Sequence, residues 1–261
     1  MDNLVDLRRR YLDLMKQVLV GMFDEDIPSL AFPIFGFVVR QPERFVRQLR
    51  EHGRDLPSRA LSSIGMRRMD NLQVCIEQVL ADGVPGDLIE TGVWRGGACI
   101  FMRAVLAAYG VADRVVWVAD SFEGLPAPDP HVPVDAVWKE SAGRLAVSIE
   151  EVRANFSRHG FLDEQVRFLQ GWFKDTLPVA PIGRLAVLRL DGDLYQSTMD
   201  ALTNLYPKLS PGGYVIVDDH NVVSCRQAVE DYRRTHAIDE PIIEIDGWAV
   251  YWRRSKASRR S

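Results

Sequence analysis

The stretch Leu185-Ala186-Val187-Leu188-Arg189-Leu190-Asp191-Gly192-Asp193 decides how this chain is read, together with its counterpart Gly213-Tyr214-Val215-Ile216-Val217-Asp218-Asp219. Each is a short apolar run that ends in carboxylates, as a buried strand does where it emerges into solvent. If the two strands are neighbours in a parallel sheet, spaced by roughly 4.8 Å, their acids converge on one crevice at the carboxyl edge. Open α/β sheets bind ligands at that edge. Such a cluster repels itself unless a cation holds it. Oxygen ligands with no nearby Cys or His favour Mg²⁺ or a similar ion over zinc or copper.

Working outward, 261 residues with 47% hydrophobic and 26% charged side chains suffice for one large core with a small appendage. The formal net charge of -4 offers no general attraction to nucleic acid or to an anionic membrane. No window approaches the roughly 18 apolar residues of a membrane span. The start Met1 to Asp6 lacks the basic-then-apolar order of a signal peptide, so the expectation is a cytoplasmic protein. Cys75, Cys99 and Cys225 are widely spaced inside helical patterns and read as buried, reduced thiols.

The pattern predicts an amphipathic helix from Leu4 to Phe23, with Leu4, Leu7, Tyr11, Leu12, Leu14, Met15, Val18 and Leu19 on its apolar face. Between Pro28 and Pro57, repeated Pro and Gly predict short helices and turns rather than sheet. Residues 1–63 are therefore expected to be a helical extension that serves as a lid or subunit contact. Helical spacing returns from Met66 to Leu80, and Gly83 with Pro85 stops it. From Pro85 onward, short apolar runs alternate with helical segments, the sign of repeated βα units and a parallel sheet. The strands are drawn at 87–91, 114–119, 166–169, 185–190 and 213–217, with helices at 97–109, 150–158, 197–206 and 224–234. Ser148 followed by Glu151 is a capping-box pattern. Ile242 to Trp252, with Asp246-Gly247 at its centre, predicts a terminal antiparallel hairpin. The Pro-rich segment from Leu125 to Gly143 is too long for a plain crossover and is expected to face the substrate. The basic tail 255–261 is expected to be disordered.

Asp87 to Gly97 reads as a strand, a glycine-rich turn and a helix start. Its G-x-x-x-G-G spacing departs from the G-x-G-x-x-G that seats a pyrophosphate, which disfavours a dinucleotide. The next strand ends in Asp120, where an acid commonly accepts from ribose hydroxyls. An adenosine without a diphosphate fits both, and S-adenosylmethionine is such a ligand. Glu90 and the Gly92 backbone are expected to receive its amino-acid end, Asp120 its ribose, and Gly171-Trp172-Phe173 its adenine. Each position also has a purely structural reading: Gly96-Gly97 as a tight helix contact, Asp120 as a cap, Trp172 as core.

Glu90 to Phe101, Trp117 to Phe122, Gly171 to Thr176, Asp191-Gly192-Asp193 and Asp218-Asp219 together resemble the macrocin O-methyltransferase family, which modifies deoxysugars on antibiotics such as macrolides and aminocoumarins. The resemblance runs from about Ile64 to Arg253. It implies a class I methyltransferase fold over 64–254, α/β and Rossmann-like, with a seven-stranded mostly parallel sheet, a C-terminal antiparallel hairpin and an N-terminal helical extension. It further implies S-adenosylmethionine as donor, Mg²⁺ dependence, a glycosylated small-molecule acceptor, and a homodimer or higher homo-oligomer. By that carry-over Asp191, Asp218 and Asp219 are metal ligands and Asp193 is the general base. Donor-binding positions are Met66, Glu90, Thr91, Gly92, Arg95, Gly96, Asp120, Ser121, Gly171, Trp172 and Asp191. The chain departs from the family pattern on the substrate side, in the Pro-rich stretch 125–147 and in His220, where Tyr is usual.

The chemistry expected is methyl transfer to a sugar hydroxyl. A cation shared by two vicinal hydroxyls lowers the pKa of one, and Asp193 takes its proton. Helix capping accounts for one acid, not for four at adjacent strand ends. His220 is a second base, a substrate contact or a satisfied loop histidine, and Arg67, Arg68 and Lys174 read as solvated charges. The alternative enzyme class is a metal-dependent glycosyltransferase using Asp191-Gly192-Asp193 as its D-x-D motif, which leaves the glycine-rich turn and Asp218-Asp219 without a role. A binding module without catalysis is the third reading.

Overall fold

The computed structural model describes residues 2–29, 31–34, 37–40 and 43–255. In chain order the elements are α1 (Asp2–Leu19), β1 (Ala31–Ile34), β2 (Phe37–Arg40), α2 (Arg47–Glu51), α3 (Gly65–Ala81), β3 (Asp87–Thr91), α4 (Gly97–Ala108), β4 (Val116–Asp120), α5 (Ile149–Arg158), β5 (Val166–Gln170), α6 (Phe173–Thr176), β6 (Leu185–Leu190), α7 (Tyr195–Leu205), β7 (Leu209–Val217), α8 (Val223–Thr235), β8 (Ile243–Glu244) and β9 (Val250–Arg253). A 3-10 segment, Pro133–Ser141, lies between β4 and α5.

β3 to β9 form one seven-stranded sheet of order β5-β4-β3-β6-β7-β9-β8. The five strands from β5 to β7 are parallel; β9 runs antiparallel to both β7 and β8. Every residue of β6 is buried, as expected of a central parallel strand covered on both faces. The order reverses between β3 and β6, which opens a crevice beyond their carboxyl ends. β6 and β7 pair with Leu190 opposite Val217, so Asp191 and Asp218 leave the sheet side by side.

Most predicted elements lie within a few residues of those observed. Ser148 caps α5 by accepting from the Glu151 amide at 3.2 Å. The terminal hairpin is present, with Glu244 opposite Val250. Asp246 Oδ1 accepts from the Trp248 and Ala249 amides at its bend. The three cysteines are buried and free.

Two expectations are corrected. Residues 28–57 contain sheet: β1 and β2 pair antiparallel, with Ile34 opposite Phe37. The Phe and Val content of this stretch suits extended backbone, and that outweighs its Pro and Gly. β7 begins at Leu209, four residues early: Leu209 pairs with Leu185 and Tyr214 with Val187, the register shifting between them so that the extra β7 residues are accommodated as an irregularity.

The apolar face of α1 is divided. Leu12 and Leu19 are buried and Met15 packs on the core, with α1 lying against α4, whereas Leu4, Leu7, Leu14 and Val18 are exposed. The fully buried Arg50 guanidinium grips Asp55 through Nε and Nη2, each at 2.9 Å. It also donates to the carbonyls of Val20 and Asp26 at 2.8 and 2.7 Å, binding α1, α2 and the chain between them into one unit. No helix among the described residues is long and apolar enough to cross a membrane. The basic tail falls outside the described residues from 256 onward.

Candidate active site

The crevice at the strand-order reversal opens into a cavity of about 760 Å³. One wall carries Gly92 and Trp94 after β3, Asp120 and Ser121 after β4, and Trp172 and Phe173 after β5. The other carries Asp191, Asp193, Asp218 and Asp219 after β6 and β7. Leu125, Pro126, Asp135, Trp138 and Ser141 of the Pro-rich segment complete it, so that segment does face the pocket.

Asp191, Asp218 and Asp219 each offer one carboxylate oxygen, and the three oxygens lie within 4.8 Å of one another. A magnesium ion with oxygens at about 2.0–2.1 Å places opposite ligands about 4.2 Å apart, so the triad fits the ion with small adjustments. The electrostatics agree. Burial, then the charges of Asp191 and Asp218, push Asp193 up to about 8. Burial and the charges of Asp193, Asp191 and Asp218 raise Asp219 well above the carboxylate range. Burial and Asp218 raise Asp191 as well. The cluster carries more negative charge than its surroundings neutralise, and protons or a cation must supply the balance.

Two buried guanidiniums partly offset it. Arg189, fully buried in β6, donates through Nη1 to Glu90 and, at 2.7 Å, to Asp191 Oδ2; its Nη2 donates to Asp218. Arg68 of α3 donates to Asp218 Oδ2 at 2.6 Å and to Asp246 Oδ2 at 2.8 Å. Sequence reading missed both. Arg68 is 5% exposed, not the solvated charge expected; Arg67 beside it is exposed. The only signal in the sequence for Arg189 was a charge inside an otherwise aliphatic strand.

The candidate donor-binding residues divide into two groups. Gly92, Asp120, Ser121, Trp172 and Asp191 line the cavity. Asp120 is held by the amides of Val93 on Oδ2 at 2.7 Å and Phe122 on Oδ1 at 2.8 Å. Ser121 Oγ also approaches Oδ1 at 3.4 Å, so its hydroxyl is the contact a ligand hydroxyl at Asp120 would displace. Met66, Glu90, Thr91, Arg95, Gly96 and Gly171 do not line the cavity. Met66 packs on the core. Glu90 lies between Arg189 and the Cys99 thiol, which donates to it at 2.9 Å, and burial lifts its carboxyl to about 7. Thr91 is buried with no hydrogen-bond partner for Oγ1. Arg95 donates to the Ala60 carbonyl at 2.9 Å and lies 4.2 Å over the Trp94 ring. A Cβ on Gly96 would meet Val152 at 2.9 Å and one on Gly97 the Leu61 carbonyl oxygen at 2.5 Å. These two glycines therefore serve chain packing. At Gly171 a Cβ would meet Thr176 at 2.8 Å. His220 is outside the cavity lining, and Lys174 is an exposed residue at its edge.

The family model Macrocin-O-methyltransferase (TylF) matches residues 8–254. The chain is 59% identical over 260 residues to 8-demethyl-8-(2,3-dimethoxy-alpha-L-rhamnosyl)-tetracenomycin-C 4'-O-methyltransferase of Streptomyces olivaceus, covering 98% of this chain and 97% of that one. It is 53% identical to mycinamicin III 3''-O-methyltransferase of Micromonospora griseorubida, covering 94% and 96%. The solved structure of the O-methyltransferase NovP superposes with a TM-score of 0.88 at 50% identity, covering 95% of this chain and all of that one. The glycosyltransferase reading of Asp191-Gly192-Asp193 is not favoured by these matches. By its sequence, its sheet order and its cavity, the chain belongs to the macrocin O-methyltransferase family.

Proposed function

We propose that this enzyme transfers the methyl group of S-adenosylmethionine to a hydroxyl of a deoxysugar on a glycosylated natural product, with Mg²⁺ held by Asp191, Asp218 and Asp219. The observation that carries the reading is the sharing of one cavity by a three-carboxylate triad and an acid-and-aromatic wall at adjacent strand ends. Its relatives' names supply the acceptor class: they describe methylation on rhamnosyl tetracenomycin and on mycinamicin.

When bound, the donor would supply an electrophilic methyl, and a cation held by Asp191, Asp218 and Asp219 would supply the positive charge that makes a nearby sugar hydroxyl more acidic. The chain's own residues do the rest. Asp120 orients the donor ribose, and Trp172 and Phe173 offer faces for its adenine. Asp193 stands one residue beyond Asp191 and outside the triad. Burial and its charged neighbours raise its basicity above that of an ordinary carboxylate, toward the range in which a general base works well at neutral pH. It takes the hydroxyl proton. The wall formed by Leu125, Pro126 and Trp138 keeps water from the reacting oxygen and aligns the acceptor.

The exposed Leu4, Leu7, Leu14 and Val18 side of α1 supports self-association, because such an apolar face needs cover; deleting α1 and measuring the size of the assembly tests this. Methyl transfer is tested by supplying S-adenosylmethionine and a panel of glycosylated natural products, with and without Mg²⁺. Nucleotide sugars are run alongside. Methylation that depends on the metal is the expected result; turnover unaffected by exhaustive chelation rejects the cation's role. Asp193→Asn should keep donor affinity and lose turnover.

A further inference from the structure

Asp193 has a φ of +58°, in the left-handed region. Asp enters that region more readily than most side chains, and here the conformation is held by the Leu194 amide donating to the Gly192 carbonyl at 2.5 Å and by the hydrogen bonds of Asp193's own amide and carbonyl. The Asp193 amide donates to Asp219 Oδ2 at 3.1 Å, and its carbonyl accepts from Ser224 Oγ at 3.0 Å. Ser224 Oγ itself accepts from the Trp138 indole Nε1 at 3.1 Å. An indole N–H can only donate, so the single hydroxyl proton of Ser224 is left for the Asp193 carbonyl. Two residues further along, Asp135 accepts from the amides of Tyr195 and Gln196 at 2.7 and 3.3 Å. Ser224 and Asp135 are fully buried and Trp138 is nearly so.

Asp135 and Trp138 both belong to the 3-10 segment Pro133–Ser141, and both line the cavity. The wall that faces the acceptor therefore grips the turn carrying Asp193 at two points, separated in sequence by more than one secondary element. We propose that Trp138 and Ser224 are positioning residues for methyl transfer: the relay from Trp138 Nε1 through Ser224 Oγ to the Asp193 carbonyl aims the Asp193 carboxylate and makes its aim depend on how the 133–141 segment is seated. The proposal rests on the reading of Asp193 as the base. Relaxing the relay frees the strained Asp193 backbone to leave its φ, and the carboxylate turns with it. The donor wall makes no contact in this relay, and because the Asp193 amide also holds Asp219 of the triad the rate is read at saturating Mg²⁺, where the effect falls on turnover and not on donor binding.

The test compares Ser224→Ala, Ser224→Thr and Trp138→Phe in the full-length enzyme with saturating Mg²⁺. Ser224→Ala lowers kcat by about 10- to 100-fold, with donor affinity measured calorimetrically changed by less than about 2-fold. Trp138→Phe acts in the same direction, and Ser224→Thr, which keeps the hydroxyl, restores most of the rate. In an Asp193→Asn background Ser224→Ala lowers the residual rate by less than about 2-fold, because the relay acts through the group already removed. An equal loss in both backgrounds, or wild-type kcat in Ser224→Ala, overturns the relay. If Asp193→Asn alone turns over normally, the base reading has failed. If Asp193→Asn is inactive while Ser224→Ala is unimpaired, only the relay has failed. Should Ser224→Ala not fold, Ser224→Cys preserves volume with a weak donor, and its kcat must fall as well.

Discussion

Arg189 Nη1 lies 2.7 Å from Asp191 Oδ2, joining the one charged side chain inside β6 to the first acid beyond its end. The same guanidinium holds Glu90 and Asp218, so a planar fork fixes the spacing of two of the carboxylates proposed to hold the metal. Lysine keeps the charge but has no fork. Arg189→Lys should fold and bind Mg²⁺ about 10- to 100-fold more weakly, the usual effect of losing a group that orients metal ligands. Arg189→Met leaves buried Glu90 without a cationic partner and Asp218 with Arg68 alone, and should cost about 3–5 kcal/mol of stability. Isothermal titration and urea unfolding read the two effects, and unchanged Mg²⁺ affinity in the lysine variant would contradict the assigned role.

The acid cluster also sets a pH dependence. In the unfolded chain carboxyl groups titrate near about 4, whereas burial lifts Asp193 to about 8 and Glu90 to about 7 in the fold. Between those limits the metal-free native state binds more protons than the unfolded state, so its stability falls as pH rises from about 4 to about 8. A cation displaces these protons, and its affinity should rise over the same range. Urea unfolding in chelator from pH 5 to 8 should show the decline, and added Mg²⁺ should flatten it. Calorimetry at pH 7 in buffers of different ionisation enthalpy should detect proton release. A binding heat independent of buffer would refute the mechanism.

Gly92 tests how closely the two halves of the site are built together. Its φ is +84°, and a Cβ there would lie 1.7 Å from the Asp191 carbonyl oxygen. The Asp191 amide donates to the Thr91 carbonyl at 2.9 Å beside it. Gly92→Ala must push β3 and β6 apart at the crevice and should abolish Mg²⁺ binding while lowering Tm. Gly110→Ala is the matched control: its φ is +66° with open space around it, so it should pay only the backbone strain, about 1–3 kcal/mol. Equal losses in the two variants would show that the contact with Asp191 is unimportant.

The parts of this molecule legible in the sequence are those whose cause is local. β6 reads as a buried strand because its apolar residues are consecutive, and Ser148 reads as a cap because its partner, Glu151, is three residues on. The acid triad was legible because the two strands that deliver it announce their ends. Arg68 was not, since its partners Asp218 and Asp246 lie 150 and 178 residues away. For the same reason Ser224 gave no sign of Trp138, 86 residues earlier. The pairing of β1 with β2 was obscured by Pro33 and Gly36, punctuation that outweighed the aromatic and β-branched residues on either side. Glu90 reads locally as a pocket acid; its partner inside the sheet is Arg189, 99 residues and three strands on in sequence.

The N-terminal extension is pinned by one buried guanidinium as well as by the apolar contacts of Leu12, Leu19, Val20 and Met22. Arg50 is fully buried and saturates Asp55 and three main-chain carbonyls, those of Val20, Gly21 and Asp26. Those carbonyls belong to the turn that leads out of α1; Gly21's also accepts from the Asp26 amide at 3.0 Å, whereas those of Val20 and Asp26 would have to turn to water admitted to a buried site. Arg50→Met removes the donor set while keeping much of the volume, and it strands Asp55 as an unpaired buried charge. Breaking such a pair costs about 3–5 kcal/mol. Because Arg54, Asp55 and Leu56 also line the cavity, the loss should appear as easier proteolysis around residues 20–60 and as a higher acceptor KM. The Mg²⁺ affinity should stay within about 2-fold, since the triad lies on β6 and β7, outside this network. Limited proteolysis with mass spectrometry and acceptor kinetics measure the two effects. A variant with wild-type proteolysis and KM would show that α1 and α2 are held by their apolar contacts alone.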